Sequence, residues 1–295
     1  MKKKEDLPDD FLAQVKYLQG LGYRERRRVL WHRQKPRLPR YLYKFRAFDA
    51  GDSTSIERLR DILVRCRLRL SPPGELNDPF DMAVKIVVDG TQAEISERLN
   101  TLFKERGMKW ETRRKEVRRI IQDLDALTLR AQTSFRDTIS AAGVCSFAGN
   151  PRSPRSILMW SHYASNHRGV CLQFEIARDI ATFGQALEVS YSSRYPVSNW
   201  VKEAKNITRV LLKKYIGWEY EDERRIIDPE GARQFINFRP IALSAIIVGC
   251  SASEETVQQL KDIITERTSR RLPMPKLYRA FTDEGKFCLN IKSLR

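Results

Sequence analysis

"MWSHYASNHRGVCLQF", Met159 to Phe174, holds two of the chain's three histidines beside a Trp and a Tyr, and halfway along it changes periodicity. The first part, within "SILMWSHYAS", predicts a helix of two or three turns. The second, "RGVCLQFEI", is an apolar run of strand length that starts at Gly169. A short helix passing directly into a buried strand sets the pattern for what lies on either side. Upstream, "AAGVCSF" is a short buried strand and "RYLYKFRAF" an aromatic, alternating one. In "SIERLRDILVRCRLRLS", Ile56, Leu59 and Leu63 share a helical face before the alternation of "CRLRLS". Downstream, "ALEVSYSS", "ERRIID", "ALSAIIVG" and "KFCLNIKS" read as strands, and "NWVKEAKNITRVLLKKYIG" and "SEETVQQLKDIITERT" as helices. Helices grouped around separated strands predict an α+β fold rather than a doubly wound parallel sheet.

The chain has 295 residues, 41% of them hydrophobic and 9% aromatic, which suits a globular protein. Residues 1–40 read as a basic N-terminal arm ("YRERRRVLWHRQKPRLPR") and 41–295 as a single α+β domain. A helical insertion is expected at about 91–140, with Val117, Ile120, Ile121, Leu124, Leu127, Ala131 and Phe135 on one stripe. Lys and Arg exceed Asp and Glu by 54 to 37, a formal charge of +17, which favours polyanionic partners and makes nucleic acid the expected one. Five cysteines without a CxxC pair, mostly in apolar runs, read as reduced core residues of a cytoplasmic protein. No run reaches the roughly 18 apolar residues of a membrane span, so no membrane association is expected.

Several familiar catalytic signatures are absent: GxxxxGK[ST], a complete GxGxxG after a strand, HExxH and GxSxG. Three constellations stand out. In "SPPGELNDPFD", Asn77, Asp78 and Asp81 surround Pro79; an Asx-type turn is the favoured reading of Asp81, while Asn77 and Asp78 are placed to face a ligand. In the opening stretch, Trp160, Tyr163 and His167 approach one side, with His162 rotated about 100° from Tyr163. They read either as core aromatics with satisfied polar tips or as a platform that stacks a planar ring while an imidazole donates to it. In "WEYEDERRII", Glu221 and Glu223 point the same way on an extended chain. They read either as a carboxylate pair for a developing cation or as salt-bridge partners of Arg224 and Arg225. No metal site is expected from the histidines, whose five-residue step leaves them on different helix faces. A metal-dependent nuclease using Asp78, Asp81, Glu221 and Glu223 is an alternative, and a non-enzymatic nucleic-acid-binding module relying on the arginines of residues 24–40 is another.

The pieces "YLYKFR", "LSPPGELNDPFD", "MWSHYASNHRGVCLQF" and "WEYEDERR" together resemble a large bacterial family of domains of unknown function. Its members share L-Y-K-[YF]-R, F-N-D-P-F-D, M-W-x-H-Y-A-x-x-H-x-G-[VI]-C and W-x-Y-E-x-E-x-R, and the resemblance covers roughly residues 41–250. Leu76 stands where that family has Phe. More distantly, the order of elements resembles that of ADP-ribosyltransferases, which implies a mixed, mainly antiparallel sheet core of that type and NAD as substrate. On that resemblance Tyr43, Lys44 and Arg46 would grip the dinucleotide, Tyr163 or Trp160 would stack on nicotinamide, and Glu223 would be catalytic with Glu221 beside it. His162 joins the two glutamates as a catalytic candidate, and His167, Asn77 and Asp78 are further candidates for binding NAD. The first strand has no His-Gly-Thr-like triplet. A toxin or antiviral effector acting on nucleic acid or protein, with an antitoxin or other protein partner, follows from the same resemblance.

Overall fold

The computed structural model describes residues 10–31, 38–202 and 207–294. The parts of the expected basic arm at 1–9 and 32–37, and residues 203–206 of the helix expected after Asn199, lie outside the described residues. An eight-stranded sheet organises the fold. Its strands in chain order are β1 (Tyr41–Arg46), β2 (Gly143–Ala148), β3 (Val170–Glu175), β4 (Leu187–Glu188), β5 (Glu223–Asp228), β6 (Leu243–Val248), β7 (Lys276–Thr282) and β8 (Leu289–Ser293). They lie in the order β8-β7-β6-β3-β1-β2-β5-β4, antiparallel throughout except for the parallel β6–β7 pair. The fold is therefore α+β with a mixed, mainly antiparallel sheet and no closed barrel.

The longer helices are α1 (Phe11–Gly20), α2 (Tyr23–Trp31), α3 (Ser53–Leu63), α4 (Gln92–Glu105), α5 (Trp110–Ile121), α6 (Leu124–Ser140), α7 (Ile157–Tyr163) and α8 (Glu254–Ser269). Strand periodicity decides which of them covers which face. Leu42, Phe147, Leu172 and Ile246 turn toward one face, where Leu18 of α1, Leu59 and Leu63 of α3 and Leu260 and Ile264 of α8 close the main core. Tyr43, Phe45, Ala148, Cys171 and Ile247 turn to the other, against Met159 and Trp160 of α7. Val15, Leu18 and Leu30 bury themselves in the main core, so the described part of the N-terminal segment packs on the sheet instead of extending from it.

Helices α4 to α6 have a small core of their own, built on Ile95, Leu99, Val117, Ile120 and Leu127. The stripe expected over 117–135 is broken in two, because the Asp123 carboxylate accepts from the Ala126 N–H at 2.9 Å and caps a new helix. Lys213–Tyr215, expected to be helical, is a short strand parallel to Ser190–Ser192, and helix is confined there to Ile207–Leu211. Strand β7 escapes a periodicity reading, since Leu277, Arg279 and Phe281 on one side and Lys276, Tyr278 and Ala280 on the other are each of mixed polarity. Among the described residues no helix is long and apolar enough to cross a membrane.

The stretch from Met159 to Phe174 bends sharply. Ser165, Asn166 and His167 all have positive φ (48°, 51° and 67°), a run that costs on the order of 1 kcal/mol or more per non-glycine residue. The turn is held by His167, whose ring lies parallel to Trp160 (13°, centroids 6.3 Å apart) and whose Nε2 is 3.1 Å from Ser161 Oγ. Gly169 follows because a Cβ there would stand 2.1 Å from the Arg46 carbonyl oxygen. Chain reversal thus brings β3 against β1 at the residue that ends β1.

Candidate active site

Strand β1 pairs with β3 over six residues, Tyr41↔Glu175 to Arg46↔Val170, but with β2 at Tyr43↔Ala148 alone. Beyond that point the two strands separate. Lys44 spans the gap, its Nζ donating to the Ser146 carbonyl at 3.0 Å and lying 3.4 Å from Cys145 Sγ. Further along β2, Ser71 takes over pairing with Val144. The gap opens into a cleft of about 610 Å³. Tyr43, Lys44 and Arg46 line it from β1, Arg58 from α3, Asn77, Asp78 and Asp81 from the proline-rich loop, and His162 and Tyr163 from α7. Lys214, Trp218, Glu221 and Glu223 complete the wall.

The acidic side of this cleft is a continuous buried chain of hydrogen bonds. Glu223, the first residue of β5, accepts from Arg225 Nε and Nη2, both at 2.8 Å, and from Lys214 Nζ at 3.0 Å. Arg225 Nη2 also donates to Asp81 Oδ2 at 2.6 Å, and its Nη1 to the Leu211 carbonyl at 2.7 Å. Lys214 Nζ donates to Glu221 Oε2 at 2.6 Å, and the Tyr163 hydroxyl donates to Glu221 Oε1 at the same distance. None of the five charged side chains is more than 5% exposed. Asp81, Glu221 and Glu223 against Lys214 and Arg225 leave three negative charges to two positive, a net of −1 when all are ionised.

Burial and neighbours drive the two glutamates apart. Burial raises the Glu221 carboxyl above its ordinary value, against the opposing pull of Lys214 and Tyr163. Burial acts on Glu223 in the same sense, but Arg225 and Lys214 outweigh it and hold Glu223 at about 2. Asp81 is raised by burial despite Arg225. Lys214 loses solvation, yet Glu223 and Glu221 raise it, and burial, with Glu221, raises the Tyr163 phenol. Glu223 therefore stabilises the fold fully above the ordinary glutamate range of about 4.5, and loses that contribution as pH falls toward about 2. Raised Asp81 and Glu221 act in the opposite sense, with stability gained as pH falls through their folded values. Urea midpoints of wild type and Glu223→Gln, measured from pH 6 to pH 2.5, are expected to converge as pH falls below about 4.5; a constant difference would contradict this assignment.

Arg46 and Arg58 also line the cleft, as do Asp49, Asp52 and Glu75. Arg46 has its guanidinium pKa lowered by burial and then by Arg58, and it pairs with no carboxylate among the described residues. Within the same lining, the His162 ring meets Trp218 edge-on (5.7 Å, 74°), and Trp218 Nε1 donates to Asp78 Oδ2 at 2.8 Å.

The structure brings Tyr43, Lys44, Arg46, Asn77, Asp78, His162, Tyr163, Glu221 and Glu223 to one cleft. Trp160 and His167 are elsewhere. Trp160 is fully buried, with Nε1 donating to the Pro154 carbonyl at 2.8 Å, and His167 is its stacking partner in the turn. The Asx turn expected at Asp81 belongs to Asp78, whose Oδ1 accepts from the Phe80 N–H at 2.9 Å. Asp81 is instead the buried partner of Arg225, and its Oδ1 has no hydrogen-bond partner among the described residues. Glu221 and Glu223 do converge, though not along an extended strand: Asp222 between them has φ 44°, closing a 3-10 turn. Arg225 is fully buried rather than a surface partner. Sequence reasoning does not assign Lys214 to this site, names Arg225 only as a salt-bridge partner of the glutamates, and offers Asp81 only for the nuclease alternative. Of these, Arg225 alone carries a usable signal, standing two residues after Glu223 as Glu223 stands after Glu221.

The family model described as protein of unknown function (DUF2971) matches residues 159–226. The match runs from α7 to β5 and takes in His162, Tyr163, Lys214, Glu221, Glu223 and Arg225, but neither β1 nor the loop bearing Asp81. No match was found among curated proteins or among solved structures.

Proposed function

We propose that the cleft binds NAD and breaks the bond between its nicotinamide and ribose, passing ADP-ribose to water or to a nucleophile on nucleic acid or protein. The observation that carries this reading is that one cleft is lined both by a buried carboxylate cluster and by Arg46, which has no carboxylate partner among the described residues. A dinucleotide offers a group to each, a pyrophosphate for Arg46 and Arg58 and a ribosyl cation to be stabilised at the carboxylates. A volume of about 610 Å³ is in the range of small-molecule sites.

As the C1′–N bond breaks, its electron pair leaves with nicotinamide and the ribose gains oxocarbenium character. Glu223, held ionised by Arg225 and Lys214, faces that charge. Glu221, with its raised pKa, takes the proton released by the incoming nucleophile and returns it to solvent. Tyr163 and Lys214 fix the Glu221 carboxylate for this task. The nuclease alternative fits less well. Among the described residues no three His, Cys, Asp or Glu side chains are grouped to share an ion, and Lys214 and Arg225 occupy the space between the carboxylates.

The test is incubation of the purified protein with NAD labelled in the adenosine half and, separately, in nicotinamide, with RNA, DNA and cell lysate as acceptors. Nicotinamide release is expected, and Arg46→Ala is expected to raise KM for NAD about ten-fold, because Arg58 alone of the two arginines is then left to hold the pyrophosphate. Absence of release by the wild-type protein under all conditions would overturn the reading.

A further inference from the structure

A second cleft, of about 760 Å³, lies on the same sheet face and shares Tyr43 with the first. Its floor is set by sheet register. Tyr41 stands opposite Glu175, Tyr43 opposite Gln173, and Ala245 bridges Gln173 to Lys276 of β7. Four tyrosines line it, Tyr23, Tyr41, Tyr43 and Tyr278. The charged lining is Arg27, Arg155, Arg178 and Lys276 against one carboxylate, Glu175. Glu175 is already engaged by Arg178 Nε at 2.6 Å and Arg27 Nε at 3.6 Å, with the Tyr23 hydroxyl at 3.3 Å. Arg155 and Lys276 have no carboxylate partner among the described residues. Arg40 covers Tyr41 and Arg178 covers Tyr23, whereas Tyr278 has neither a ring nor a cation stacked on it among the described residues.

We infer that this second cleft binds single-stranded nucleic acid, with Tyr278 stacking a base and Arg155 and Lys276 taking phosphates. Cations without a carboxylate partner, beside a partly buried tyrosine that packs against the core yet carries no stacked ring or cation among the described residues, are in a concave site the combination that holds an unpaired strand, since a duplex does not expose its base faces. The assignment does not depend on NAD chemistry, but the shared Tyr43 places a bound strand next to the first cleft.

The experiment is fluorescence anisotropy of labelled single-stranded RNA, single-stranded DNA and a duplex, over a salt series, with the full chain. Wild type is expected to bind at least one single strand about ten-fold more tightly than the duplex. Arg155→Gln with Lys276→Gln should weaken single-strand binding ten-fold or more and reduce the log–log salt slope by about 0.7 for each phosphate no longer neutralised. Tyr278→Leu should weaken binding about ten-fold with the salt slope unchanged. Unfolding midpoints close to wild type would show that the variants fold. Nicotinamide release without nucleic acid should be unaffected, since none of these three residues lines the first cleft. If the NAD reading fails, the anisotropy still decides this one. No binding of either strand, equal binding of duplex, or wild-type binding by folded variants would overturn it.

Discussion

Replacing Glu223 by Gln is expected to lower nicotinamide release from NAD by about 100-fold or more while changing KM little. The carboxylate acts on charge that exists only as the glycosidic bond breaks, so its loss appears in kcat and not in ground-state binding. Gln keeps the shape and accepts one hydrogen bond from Arg225, but it presents a neutral amide where the reaction needs an anion. Arg225 and Lys214 keep Asp81 and Glu221 as partners, which limits the structural damage. Single-turnover release, read beside the unfolding midpoint of the same sample, separates lost chemistry from lost fold. A folded Glu223→Gln protein with the wild-type rate would remove Glu223 from the reaction.

Arg225→Met is expected to destabilise the protein by about 3–5 kcal/mol, because it leaves Asp81 and Glu223 buried with Lys214 as the one remaining cation among the described residues. For a chain of this size that is a fall in Tm on the order of 10 °C. The size comes less from the value of the ion pair than from the charges left behind, so adding Asp81→Asn and Glu223→Gln to Arg225→Met is expected to recover a substantial part of the loss. Urea unfolding of the single and triple variants measures both quantities. Additive losses would mean that the three side chains do not act as one cluster.

The sheet is legible in the sequence where apolar residues are continuous or alternate cleanly. Strands β2, β3 and β6 are of that kind, and α3 and α8 show plain helical periodicity. It is opaque where a strand is of mixed polarity on both sides, as in Lys276–Thr282, and where a local cap overrides a longer pattern, as at Asp123. The candidate site follows the same division. Motifs dense with His, aromatic and acidic side chains stand out in a basic chain, and Asn77, Asp78, His162, Tyr163, Glu221 and Glu223 from them line the cleft, whereas Tyr43, Lys44 and Arg46 are nominated by the distant resemblance alone. Whether an aromatic faces a cavity or the core is a matter of rotation about a helix and of how the next turn bends, which three consecutive positive φ angles decide here. That is why Tyr163 reaches Glu221 while Trp160 and His167 stack on each other. Lys214 is hidden because its neighbours read as helix, and its approach to the glutamates depends on the short strand it occupies.

The parting of β1 from β2 after a single residue pair has a further consequence. Open sheets ordinarily keep their unsatisfied backbone groups at the rim, where another chain can add on. This sheet also has two such margins in its interior, facing each other. The ammonium group of Lys44 sits across them, held by the Ser146 carbonyl. A fixed charge in that place deters an intruding strand yet leaves room for a small ligand, so one side chain both guards the opening and forms part of it.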